Sequence, residues 1–124
     1  MISISFFSYF NLSSKNSTLK RLDVSNGLSQ NNVNVIYEDS FGIIWVGTND
    51  GLNRFKGENI VTFNSNSNKE CYLKSDYIVD IKQDNKFHLW LATSNVGLLY
   101  YDYKSNCFKT PEINYKENQK SKYK

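Results

Sequence analysis

The chain has 124 residues, room for one modest domain, and its 40% hydrophobic and 15% aromatic content is globular rather than disordered. A single alanine and a single methionine leave too few good helix formers for a helical bundle or coiled coil, and no run approaches the roughly 20 apolar residues of a membrane span. The net charge of +3 is local, since six lysines and only two glutamates lie from Lys104 onward; that is no basic stripe interleaved with aromatics, so a nucleic-acid partner is not expected.

In chain order, residues 1–18 form an apolar, aromatic stretch (Ile2 to Phe10) followed by a polar one (Asn11 to Thr18). The basic start and small-residue cleavage site of a signal peptide are missing. The segment reads either as the tail end of an export signal that begins upstream or as an extra strand. Residues 19–24 read as a strand of their own.

From there the chain repeats. Ile36 is answered by Ile81, Asp39 by Asp84, Trp45 by Trp90 and Thr48 by Thr93, each 45 residues later. Leu28 and Leu73 share that offset, Gly51-Leu52 returns at 46 as Gly97-Leu98, and Phe63 and Phe108 restore 45. Each unit breaks into four short β-rich runs separated by turn residues. The first predicts strands over 33–38, 43–48, 51–55 and 59–63, and the second over 78–83, 88–93, 98–102 and 107–110. Aspartate opening a turn and Gly42 closing it suit a tight hairpin.

Four antiparallel strands per period of 45 make a propeller blade. The predicted fold is therefore all-β: a partial β-propeller of two four-stranded antiparallel blades, 28–66 and 73–110, with an orphan N-terminal closing strand at 19–24 and a charged polar tail at 111–124. A strand without a blade before it is how a propeller ring closes. A third tryptophan at this period would fall near position 135, so the chain reads as the opening piece of a ring. Trp45 and Trp90 are assigned to the wedges between blades. Gly47 and Ala92 should let a neighbouring blade come close, and Ile36 and Ile81 should be packed on both faces of the innermost strands.

Candidate chemistry is sparse. His88 is the only histidine and has no recognisable nucleophile beside it. Asp39 and Asp84 recur with the period, which marks them as turn formers rather than an acid–base pair. No phosphate loop or metal-ligand spacing appears, so no catalytic residue, metal or cofactor is assigned. Cys71 and Cys107 could form a disulfide, although two unpaired or buried thiols are the favoured reading. Asn31, Asn32, Asn49, Asp50 and Asn95 are predicted to share one face of the propeller. Their amides and carboxylate could hydrogen-bond sugar hydroxyls, or they could simply fill turns.

The run from Leu22-Asp23-Val24-Ser25-Asn26-Gly27-Leu28 into Asp39-x-x-Gly42-x-Ile44-Trp45-Val46-Gly47-Thr48-x-x-Gly51-Leu52-Asn53-Arg54-Phe55 resembles the two-component regulator propeller repeat. The resemblance covers about 19–110. The second unit departs from it at Phe87, Ala92 and Leu99-Tyr100-Tyr101. It implies the N-terminal part of the extracytoplasmic, periplasmic sensor propeller of a bacterial hybrid two-component histidine kinase. Such a module binds a carbohydrate or other small extracellular ligand without catalysis of its own, and kinase activity would belong to other domains. The alternatives are a non-functional gene remnant and part of a propeller-type lyase or hydrolase. Two blades alone leave open sheet faces, so the implied partners also include the remaining blades, or further copies of the chain that cover those faces.

Overall fold

A computed structural model describes residues 2–5, 19–67 and 70–112, and for residues 2–5, 19 and 20 only the backbone. The polar stretch 11–18 and most of the predicted tail lie outside the described residues. Ten strands follow in order: β1 (Ile2–Ser5), β2 (Leu19–Leu22), β3 (Val33–Glu38), β4 (Ile44–Thr48), β5 (Gly51–Lys56), β6 (Asn59–Phe63), β7 (Ile78–Gln83), β8 (Leu89–Thr93), β9 (Gly97–Asp102) and β10 (Cys107–Lys109). A short 3-10 turn at Val24–Asn26 separates β2 from the first blade, capped by the Asp23 side chain and closed by Gly27 at φ 113°.

Two four-stranded antiparallel meanders, β3-β4-β5-β6 and β7-β8-β9-β10, make up most of the fold. Their strands fall within one residue of the predicted runs, because the turn chemistry that bounds them is written locally. β2 joins neither meander. It pairs with β1 in a separate two-stranded sheet, Ile2 opposite Leu22 and Ser5 opposite Leu19.

Strand alternation gives each meander two faces. On the first, Val35, Tyr37, Trp45, Leu52 and Phe63 turn towards the second meander. There they meet Leu73, Ile78, Ile81, Leu89, Leu91, Leu99, Tyr101 and Phe108 in one core. On its opposite face Val46 and Phe55 pack with Leu22 and Leu28. Gly47 sets the spacing of the seam. A Cβ placed there would lie 2.6 Å from Ile78 Cγ2 and 2.8 Å from Val35 Cγ1, so only glycine fits.

Two sequence expectations need correction. Ile36 is not packed on both faces. It pairs with Val46, on the face turned away from the second meander, and stays 44% exposed, whereas Ile81 faces the first meander and is 1% exposed. Phe108 is also not the counterpart of Phe63. Phe108 lies opposite Tyr101, where Ile60 lies opposite Phe55, because the β9–β10 hairpin is longer than the β5–β6 hairpin. The two phenylalanines instead meet edge-on across the seam, ring centres 5.1 Å apart.

Candidate functional site

The five polar residues singled out in the sequence lie in three segments. Asn31 and Asn32 precede β3, Asn49 and Asp50 form the β4–β5 turn, and Asn95 sits in the β8–β9 turn. Val33 pairs with Thr48 and Ile78 with Thr93, so these segments sit at corresponding ends of their sheets. Only some of them touch. The Asn49 amide donates to the Asn32 carbonyl at 3.3 Å, and the Asn49 Oδ1 accepts from Asn34 Nδ2 at 2.8 Å. Asn31 Oδ1 turns away and accepts from the Val24 amide at 3.2 Å, while Asn95 Oδ1 accepts from the Ser75 hydroxyl. The Asp50 backbone amide donates to Thr48 Oγ1 at 3.0 Å, which ties the turn. Most of these groups hold turns together rather than converging on one point.

The connector between the meanders is tied down at the same end. The Gly51 amide donates to the Asp76 carbonyl at 2.7 Å, and Asn34 Nδ2 donates to the Ile78 carbonyl at 2.9 Å. The Asp76 carboxylate accepts from the Ser65 amide and hydroxyl, both at 2.6 Å. Further out, Cys71 of the connector and Cys107 of β10 form a disulfide, which replaces the favoured reading of two thiols. The cysteines stand 36 residues apart, and only the path of the connector along the edge strand brings them together. Lys74 Nζ adds a bond to Thr110 Oγ1 at 3.0 Å beside it.

The opposite end carries an arrangement that the periodicity only half disclosed. Asp39 and Asp84 do open their turns, but each also holds the tryptophan six residues on: Trp45 Nε1 and Trp90 Nε1 each donate to the carboxylate at 2.8 Å. The recurring Asp and Trp were visible, while the bond between them depends on the hairpin folding back. On Asp39 the remaining capacity accepts from the amides of Phe41 and Ile43 and from the Tyr103 hydroxyl of the next blade at 2.5 Å. Burial first, and then the Asp39 carboxylate, push the Tyr103 phenol well above its ordinary range.

On Asp84 the same capacity is filled by the amides of Lys86 and His88 and by the His88 ring, with Nδ1 at 3.2 Å. Partial burial acts to raise the Asp84 carboxyl. The hydrogen bonds from Trp90, His88 and Lys86 outweigh it and hold the group at about 2. His88 therefore serves this turn and packs edge-on to Tyr100, ring centres 5.1 Å apart. Among the described residues no group of three or more His, Cys, Asp or Glu side chains is placed to hold a metal ion.

Two antiparallel four-stranded sheets packed face to face at a glycine-spaced seam, each with a tryptophan on its second strand, are blades of a β-propeller. Residues 27–50 match the two component regulator propeller family, so the chain carries that repeat. Histidine kinase P4 of Formosa agariphila is 37% identical to it over 71 residues, which cover 53% of this chain and 5% of the kinase. The B. thetaiotaomicron protein BT3049, described as a hybrid two component system, has an extracellular domain of known crystal structure. That domain superposes on 79% of this chain with a TM-score of 0.67 and 28% identity, and the match covers 14% of it. The chain thus spans a small part of the proteins it matches.

Proposed function

We propose that the chain is part of an extracytoplasmic ligand-sensing propeller of a bacterial two-component signal-transduction protein, a binding module whose output activity lies in other domains. The observation that carries this reading is the likeness of both blades to an extracellular propeller domain. The Cys71–Cys107 disulfide supports it, since such bonds persist in oxidising compartments. The outer face of the second blade supports it too. Leu98 is 51% and Val79 48% exposed there, at positions a further blade would cover. In the same reading, 28–66 and 73–110 are the first two blades and β2, within 19–24, is the outer strand that closes the ring. Leu22 at its end packs on Val46 and Phe55, much as Phe63 at the end of β6 joins the core of the second blade.

The ligand class that fits the family resemblance is a carbohydrate or another small extracellular molecule, with Asn31, Asn32, Asn49, Asp50 and Asn95 as candidates at the loop-bearing end. Reading the DNA on either side of this frame tests the proposal. The expected result is further Trp-Gly-Thr repeats followed by a membrane span. A stop codon followed by unrelated sequence would overturn it and leave a gene remnant. In solution the isolated chain is expected to associate or be only partly ordered, because its blade faces are open. A monodisperse monomer with a cooperative melt, seen by ultracentrifugation and calorimetry, would count against those faces needing partners.

A further inference from the structure

A groove of about 430 Å³ runs along the outer rim of the seam, and both of its walls belong to this chain. One wall is the edge of the first blade, with Arg54 and Phe63. The other is the connector and the β9–β10 hairpin, with Tyr72 and Asn106. Leu73, fully buried, lies at its base. Its size is that of small-molecule sites.

Arg54 dominates its chemistry. The guanidinium carbon stands 5.4 Å from the ring centre of Phe63 and 5.9 Å from that of Trp45, packed against both aromatic rings. One of its nitrogens donates to the Tyr101 hydroxyl at 3.0 Å. That hydroxyl in turn donates to Asn106 Oδ1 at 2.8 Å. The relay consumes the acceptor of Asn106 and leaves its amide N–H groups as donors. Asn106 is held for this in a left-handed conformation at φ 51°. Among the described residues no carboxylate pairs with Arg54, and none lines the groove. The result is a positive, donor-rich edge over aromatic walls, with Asn64 and Ser67 as further polar groups. The second blade has Tyr100 in place of this arginine, opposite Trp90 as Arg54 is opposite Trp45, so the strand register itself does not require a cation at this position.

We infer that this inter-blade groove is a binding site for a small hydroxylated carboxylate, with the carboxylate on the fork of Arg54 and the hydroxyls on Asn106, Asn64 and Ser67. A planar guanidinium packed against aromatic rings still offers its edge to both oxygens of one carboxylate. An aromatic wall suits the apolar face of a sugar ring. The assignment rests on the groove alone. Its failure leaves the propeller reading intact, and the failure of that reading at the DNA level leaves the groove intact.

The test is a calorimetric titration of the whole chain, in a state whose dispersed amide NMR spectrum shows the two blades folded, with glucuronate, and with glucose and acetate as the neutral body and the bare charge. Glucuronate should bind at one site at least about tenfold more tightly than either control, and Arg54→Gln should weaken it by at least about tenfold. Amide and side-chain NMR shifts of the unmodified chain give a second reading that needs no variant. The shifts should centre on Arg54, Asn64 and Asn106. No binding of glucuronate, equal binding of acetate or glucose, unchanged affinity in Arg54→Gln, or shifts centred on the β4–β5 and β8–β9 turns would each overturn the assignment.

Discussion

The two blades repeat the same sequence pattern in different surroundings. Trp45 and Trp90 occupy the same place on the second strand, carry the same bond to an aspartate six residues before, and lie opposite a third-strand residue in the same register. Trp45 is fully buried against Tyr101, Tyr103 and Phe63 of the seam. Trp90 is only partly buried and packs mainly on Tyr100 of its own sheet. Gly47 is likewise in tight contact with Ile78 of the next blade, whereas its counterpart Ala92 is partly exposed. A blade's pattern therefore specifies a surface, and the neighbouring blade supplies most of its burial.

The largest way to break that contrast is at the tryptophans. Trp45→Ala should destabilise the chain by about 3–5 kcal/mol, through lost burial and the cavity left behind. Trp90→Ala should cost about 1 kcal/mol, because less area returns to water. Urea unfolding compares the two, and equal costs would mean that the seam is not where the stability lies. Next comes the clasp on the second blade. Cys107→Ser opens a loop of 36 residues and should cost about 2–4 kcal/mol. The loss should be absent when both proteins are compared under reducing conditions.

Gly47→Ala tests the spacing of the blades. With Ile78 only 2.6 Å from the added carbon, the seam must open at a cost of about 1–3 kcal/mol, while Ala92→Gly should cost no more than about 1 kcal/mol. A smaller effect of opposite sign is expected at the turns. Phe87 stands at φ 65° where the first blade has Gly42 at φ 75°. Phe87→Gly should relieve strain and stabilise by up to about 1 kcal/mol, less any loss of its contact with the Phe41 ring at 5.6 Å. The smallest effect is read by pH in the second blade. Asp84 is held at about 2 against an ordinary 3.8. Its contribution is complete above about 4 and is lost as pH falls towards 2. Asp84→Asn should flatten the acid limb of the melting curve over that window.

Much of this was legible in the sequence. The turn residues Asp39, Gly42 and Gly57 and the alternating runs between them are local signals, so the strands and their grouping into blades could be read directly. Equal spacing misled at Phe63 and Phe108. The β8–β9 turn and the β9–β10 hairpin are both longer than their counterparts in the first blade, so Phe108 takes the place of Ile60 rather than of Phe63 and joins the other strand face. The disulfide was unreadable because neither Cys71 nor Cys107 carries a spacing motif, and their meeting depends on the course of the connector. Ile36 illustrates a limit of repeats. Its counterpart Ile81 is buried by the preceding blade, and no described sheet covers Ile36 in the same way. For the candidate polar residues, asparagine's two common uses look alike in sequence. Only the geometry shows that Asn31 and Asn95 spend their carbonyl oxygens on the protein itself, while the Arg54–Tyr101–Asn106 relay needs two blades before it exists.

The longer β9–β10 hairpin bears on how an array of similar blades keeps its order. Near-identical units run the risk of docking on the wrong neighbour, or on a blade of another chain, because their faces are almost interchangeable. Tyr103 lies in that hairpin and reaches back to Asp39, so the extra hairpin length gives this seam a contact that the shorter β5–β6 hairpin has no residue to copy. Changing hairpin length at successive blades could give each junction its own address without altering the strands, and assembly errors would then be discriminated at the rim rather than in the core.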